Sequence, residues 1–147
     1  MAPAGGFGLG DLVTLARSVI TGGHVQTDVV NRVDIGGATP IVSPTTGAGA
    51  IAAIYAPGEA FWLHSITLHL SGVPTTAEDF TVTLDANDGV AYDALLYSVD
   101  PSVLAVQDVE YVPEYGPRLF EAGDAIDVAF PNTDTNTYGL RIVATLA

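Results

Sequence analysis

The sequence predicts an all-β protein: an antiparallel β-sandwich, jelly-roll-like, with an N-terminal extended arm carrying a short helix. Three observations lead there. Apolar residues recur at period two in a succession of short segments, the spacing of pleated strands with one face in a core. Turn-forming residues interrupt those segments every ~8–12 residues, the rhythm of sandwiches and barrels. The composition also changes at Glu59. Residues 1–58 hold 11 of the 16 glycines but only two of the 12 aromatic residues, Phe7 and Tyr55.

This break divides the chain into an arm, residues 1–58, and a β-sandwich domain, residues 59–147. The arm carries Asp11, Asp28 and Asp34 against Arg17 and Arg32, a net charge of 2 − 3 = −1. The body carries 14 acidic residues against Arg118 and Arg141, a net of 2 − 14 = −12. A nearly neutral, core-poor arm before an acidic, core-rich body reads as an attachment segment followed by a folded module. Residues 25–35 and 50–55 are open to pairing into the same sandwich.

The arm begins with APAGGFGLG, where glycine makes ordering costly. Asp11 suits the N-cap of a helix over residues 12–20, which Gly22 and Gly23 end. Leu12, Leu15, Ala16 and Val19 share one face of it. A helix of about ten residues is marginal alone in water, so this face needs a partner, its own body or another subunit. Phe7, Leu9, Leu12, Leu15 and Val19 are the candidate partner-binding anchors. Residues 25–35 look extended, residues 36–49 form a Pro/Gly/Thr stretch, and residues 50–55 form a small-residue strand.

In the body, Pro57-Gly58-Glu59 turns the chain into its longest strand-like segment, Glu59–Ser71. Strict alternation puts Trp62, His64, Ile66, Leu68 and Leu70 on the core face, and Phe61, Leu63, Ser65, Thr67 and His69 on the other. Further inward sets are Phe80, Val82 and Leu84, then Ile126, Val128 and Phe130, then Tyr138, Leu140, Ile142, Ala144 and Leu146. Asn87-Asp88-Gly89 supplies a turn. Residues 91–99 and 103–112 read as strands, separated by a break at Asp100-Pro101. Leu119-Phe120 is a short edge.

At 48% hydrophobic residues, 147 residues suffice for one domain with a real core. No apolar run reaches the ~18 residues of a membrane span, and the first residues lack the basic and apolar regions of a secretory signal. With no cysteine, neither disulfides nor thiolate metal sites can form. Four basic residues against 17 acidic ones give a net charge of −13. So few cations cannot neutralise a phosphate backbone, so nucleic acid is not an expected partner, and neither is a membrane.

No catalytic constellation is visible, and the chain reads as a non-enzyme. His64 and His69 are five apart, so on a regular strand they face opposite sides and cannot share a metal. The expected roles are a hydrogen-bonded core histidine at position 64 and a surface one at 69. Asp85, Asn87 and Asp88 echo the start of a calcium loop but lack its later ligands, so they read first as a hairpin turn, with Asp93 or Asp134 the residues that would complete a weak ion site. No cofactor or metal is expected. The tyrosines could form a sugar platform, and Tyr115, in PEYGP, is the one placed on a loop.

Six segments taken in order resemble small all-β proteins of tailed bacteriophages. They are FWLHSITLHLS from Phe61, FTVTLD from Phe80, GVAYD from Gly89, DVEYVP from Asp108, GDAIDVAF from Gly123 and TYGLRI from Thr137. Those proteins are assigned as virion components. The resemblance covers residues 59–146 and brings no catalytic residues with it. It implies a virion structural protein, most simply a decoration or cement protein stabilising the head shell. Its partners would be the major capsid protein or other virion subunits, its state a homo-oligomer, and its place the head exterior. The competing reading is a carbohydrate- or receptor-binding module of a head fibre or tail.

Overall fold

The computed structural model describes residues 41–147. The candidate anchors Phe7, Leu9, Leu12, Leu15 and Val19, the helix over residues 12–20 and the extended segment 25–35 lie outside the described residues. Nine strands follow in order: β1 (Ile41–Gly47), β2 (Ile51–Tyr55), β3 (Phe61–Leu70), β4 (Phe80–Asp85), β5 (Ala94–Val99), β6 (Asp108–Tyr111), β7 (Arg118–Phe120), β8 (Ala125–Phe130) and β9 (Tyr138–Leu146). A 3₁₀ turn (Val90–Tyr92) precedes β5, and a single helical turn, α1 (Pro101–Leu104), follows it.

The strands form two antiparallel sheets. One has the order β1-β9-β3-β6, with β7 also on β3, and the other β2-β8-β4-β5. This is jelly-roll topology. Strands β1 to β4 run out, β5 to β9 run back beside them, and the ribbon rolls up so that β1 meets β9, β2 meets β8 and β4 meets β5. Closing β9 onto β3 and β8 onto β4 completes each sheet. The tip of the ribbon is the turn at Asn87-Asp88-Gly89, where the Gly89 amide donates to the Ala86 carbonyl at 2.9 Å and Gly89 takes φ 111°. Such a φ favours glycine because it has no Cβ to clash.

The sandwich includes β1 and β2, so Glu59 is not a domain boundary. Ile51 and Tyr55 are buried in the same core as the strands of the body. The Pro/Gly/Thr stretch supplies the edge strand β1, with Pro44 within it. An edge is where a strand tolerates proline, since the missing N–H need not meet a second neighbour.

The core lies between the sheets and is filled by Phe61, Leu63, Ile66, Leu68 and Leu70 of β3 against Phe80, Val82, Ile126, Val128 and Phe130 of the opposite sheet. Each such side chain contributes about 1.5–3 kcal/mol on full burial. The alternation in β4, β8 and β9 follows the sequence reading. That in β3 does not. The pairing of β3 with β9 slips between Leu63 and Ser65, a β-bulge that leaves His64 as the extra residue. An extra residue reverses the phase of a period-two pattern. Phe61 and Leu63 therefore point inward together with Ile66, Leu68 and Leu70, while Trp62 and His64 do not enter the core.

Two further segments differ from the strands expected of them. Asp100-Pro101 starts α1 instead of simply breaking the chain: the Asp100 carboxylate accepts from the Ser102 amide at 2.8 Å and the Val103 amide at 3.4 Å, with Pro101 at the first turn. This is an N-cap with proline where its missing N–H costs nothing. Ala105, at φ 55°, ends the turn, and only Asp108–Tyr111 is extended. Likewise residues 90–92 form the 3₁₀ turn, leaving Ala94–Val99 as strand.

Candidate functional site

Two surfaces stand out. The first is the outer face of the β2-β8-β4-β5 sheet. Cross-strand register places Ile54, Asp127, Thr83 and Leu95 in one row across all four strands. The adjacent row is Ala52, Ala129, Thr81 and Ser98. Ile54 and Leu95 are 69% and 63% exposed, large for aliphatic side chains on a sheet. Asp127 is the one acidic residue in these two rows, in a chain of net charge −13. Its Oδ1 is buried and has no hydrogen-bond partner among the described residues. Burial, and then the carboxylates of Asp85 and Asp93, hold its pKa above the ordinary aspartate value.

The second surface is a cleft on the flank of the sandwich. The strand running beside β3 is interrupted: β6 covers Ile66–His69, β7 covers Phe61–Leu63, and residues 112–117 loop out between them. With β5, the edge of the other sheet, this loop borders a half-open cleft of about 620 Å³. Its lining includes Tyr97, Tyr111, Tyr115, Glu110, Glu114 and Arg118. The rings of Tyr97 and Tyr111 lie 5.5 Å apart at 36°, and the Tyr111 ring is buried. Tyr115 stands on the rim, 94% exposed, in the loop position the sequence assigns it. Gly116 at φ 94°, whose amide donates to the Pro113 carbonyl at 3.1 Å, fixes that turn. The Arg118 guanidinium lies 5.1 Å from the centre of the Phe120 ring.

Four of the residues weighed as metal ligands, His64, His69, Asp93 and Asp134, have other partners. His64 is half-buried on the outer side of β3, its Nε2 2.9 Å from Thr145 Oγ1, so it is not a core histidine. The bulge also puts His69 on that same outer side, where its Nδ1 is 2.7 Å from an Asp108 carboxylate oxygen. Asp93 accepts from the Ala86 amide at 2.9 Å, and Asp124 accepts from the Asn87 amide at 3.1 Å. Asp134 accepts from the amides and hydroxyls of Thr75 and Thr76, which lower its pKa to about 2. These carboxylates brace loops instead of converging. Among the described residues no group of three or more histidines and carboxylates is placed to hold a metal. None of the described helices is long and apolar enough to cross a membrane.

Sequence reading picked out Tyr115 but neither surface as a whole. The four-strand row exists only through register, and the cleft joins residues 96–97 to 110–118 across the two sheets.

Fold and surfaces together define a jelly-roll β-sandwich domain with an exposed, sparsely charged sheet face and a tyrosine-lined flank cleft. No protein-family model matches the chain, and no curated protein matches it. Among solved structures it is similar to the Yersinia pseudotuberculosis-derived mitogen, at 15% identity and a TM-score of 0.36, over 75% of this chain and 87% of that one. At that distance the likeness says nothing of what this chain binds.

Proposed function

We propose that the protein is a structural component of a tailed-phage virion, a decoration or cement protein on the exterior of the head, with the major capsid protein as partner and a homo-oligomer as its working form. The observation that carries this reading is the outer face of the β2-β8-β4-β5 sheet. Ile54 and Leu95 stand exposed in two rows otherwise made of alanine, threonine and serine with one carboxylate, Asp127, and with Asp85 in the next row, on a molecule dense in acids. A cement protein works by burying apolar surface across a joint between shell subunits, and many copies acting together multiply a modest single contact. Fully buried, Ile54 and Leu95 would each contribute about 1.5–3 kcal/mol. The acidic remainder would face solvent and hold particles apart by like charge. The resemblance of the six ordered strand segments to phage virion proteins supports the same reading.

Counting copies per purified virion by quantitative mass spectrometry, with electron microscopy to locate them, tests it. Copies in the hundreds, spread over the head, are expected. A handful at the tail would shift the role to a receptor- or carbohydrate-binding module, and absence from virions would end the virion reading. In the same particles, Ile54→Asp with Leu95→Asp is expected to leave the sandwich folded and strip the protein from heads.

A further inference from the structure

We infer that the flank cleft is a binding site for an uncharged glycan. Its chemistry is specific in what it admits. The exposed Tyr115 ring offers a flat apolar face that suits the C–H face of a pyranose, and its hydroxyl donates and accepts at the edge, while Tyr97 and Tyr111 pack together as the floor behind it. Glu110 and Glu114 add acceptors and Arg118 adds donors on the same lining. A ligand bearing hydroxyls, each both donor and acceptor, can satisfy that mixed set. A purely apolar ligand would strand it without water, at a cost for every polar group left unpaired.

Charge narrows the class further. Arg118 lies on the lining with its guanidinium 5.1 Å from the centre of the Phe120 ring, but two carboxylates outnumber it there. Glu110, Glu114 and a net charge of −13 disfavour an anionic ligand. With anions disfavoured, a neutral polyhydroxylated ligand is the class whose hydroxyls pair with the guanidinium and with both carboxylates. The volume, about 620 Å³, falls among small-ligand sites, which run from about 300 to 1,000 Å³. The site is also built in advance. Tyr97 and Tyr111 already touch, and Tyr115 is held by a turn between Pro113 and Pro117. Binding therefore spends little on ordering the protein. An aromatic ring 94% exposed at the end of a rigid turn has no packing role to explain it.

This site does not depend on the position of the protein in a particle, so its failure would leave the proposed virion role standing. The test is native affinity electrophoresis of the full chain in gels containing hydroxyethyl cellulose, mannan, dextran or glycol chitin, with heparin as the anionic control. At least one neutral polysaccharide is expected to retard the wild type, and heparin is not. Tyr115→Ala, which touches no core, is expected to weaken retardation about tenfold, the effect of about 1.4 kcal/mol, and Tyr115→Trp to preserve it. Circular dichroism spectra of both variants matching the wild type would show that folding is unchanged. Failure of all four neutral polysaccharides would overturn the inference. So would equal retardation of Tyr115→Ala and wild type, or retention by heparin as strong as by any of the four.

Discussion

His64 Nε2 and Thr145 Oγ1 meet at 2.9 Å on the outer side of the β3-β9 pair, and the residue that makes this contact is the extra one in the β3 bulge. The hydrogen bond ties down the irregularity that sets the phase of the longest strand. On one side of it, Phe61 and Leu63 face the core; on the other, Ile66, Leu68 and Leu70 do.

Deleting His64 is therefore expected to be tolerated where deleting a neighbour is not. Without it, Phe61, Leu63, Ile66, Leu68 and Leu70 fall on one face of a regular strand. The loss is the bond to Thr145, which is 2% exposed, so its unpaired hydroxyl costs about 1–3 kcal/mol. Deleting Thr67 instead throws Leu68 and Leu70 out of phase with Ile66, against buried side chains worth about 1.5–3 kcal/mol each. Thermal melts should show a cooperative transition for the first deletion, lowered by a few degrees, and none for the second.

How much of this was legible in the sequence follows from the same bulge. In β8 and β9 the inward residues alternate without interruption, so Ile126, Val128 and Phe130, or Leu140, Ile142 and Ala144, identify their own face. In β3 the pattern reads equally well in either phase, because large apolar residues stand at both parities around position 64, and only pairing with β9 shows where the slip occurs. Strand β1 was hidden for another reason. Its sequence, IVSPTTG, looks like a loop, and what makes it a strand is a neighbour, β9, that lies almost a hundred residues away in the chain. The cleft shares that cause: Tyr97 and Tyr111 belong to different sheets, and nothing local links them.

Two carboxylates should give stability profiles of opposite sign. Asp134 has its pKa lowered to about 2 by the Thr76 and Thr75 bonds, below the ordinary 3.8. Its contribution is present above the unfolded value and lost as pH falls through the folded one. Asp134→Ala is thus expected to melt below wild type at pH 7, with the gap closing between about pH 4 and pH 2. Differential scanning calorimetry across that window would check it.

Asp127 runs the other way. Burial, then Asp85 and Asp93, raise its pKa, so its ionised form is held in the folded state at a cost. That cost is present above the folded pKa and disappears as pH falls through it toward the unfolded value. Asp127→Asn is expected to raise Tm at neutral pH, with the gain fading as the solution is acidified. A neutral-pH Tm below that of wild type would show that the carboxylate has a favourable partner.

Tyr55 is 8% exposed, and its hydroxyl is buried without a hydrogen-bond partner among the described residues. Its ring packs edge-on to Phe61 at 5.1 Å, and that contact does not need the oxygen. An unpaired buried hydroxyl costs about 1–3 kcal/mol. Tyr55→Phe is expected to leave stability unchanged or raise it, in urea melts that hold the slope constant. A loss above about 1 kcal/mol would mean that the hydroxyl has a favourable partner.

Residues 59–147 alone are expected not to fold. Removing β1 and β2 takes Ile51 and Tyr55 from the core and strips β9 and β8 of their outer neighbours. Strand β8 would become an edge, with the Ile126, Val128 and Phe130 side chains less covered at that end of the sandwich. The lost burial of Ile51 and Tyr55 alone is about 1.5–3 kcal/mol for each side chain, against a total stability of about 5–15 kcal/mol for a typical domain. The paired backbone of two strands is lost with it, along with the two hydrogen bonds by which the Asn132 side-chain amide donates to the carbonyls of Ala48, at 3.2 Å, and Gly49, at 3.0 Å; its bond to the Asn136 carbonyl, at 2.9 Å, stays. Circular dichroism and amide dispersion in NMR spectra of the truncated chain would decide it: a dispersed spectrum would show that the seven remaining strands carry the fold without the first two.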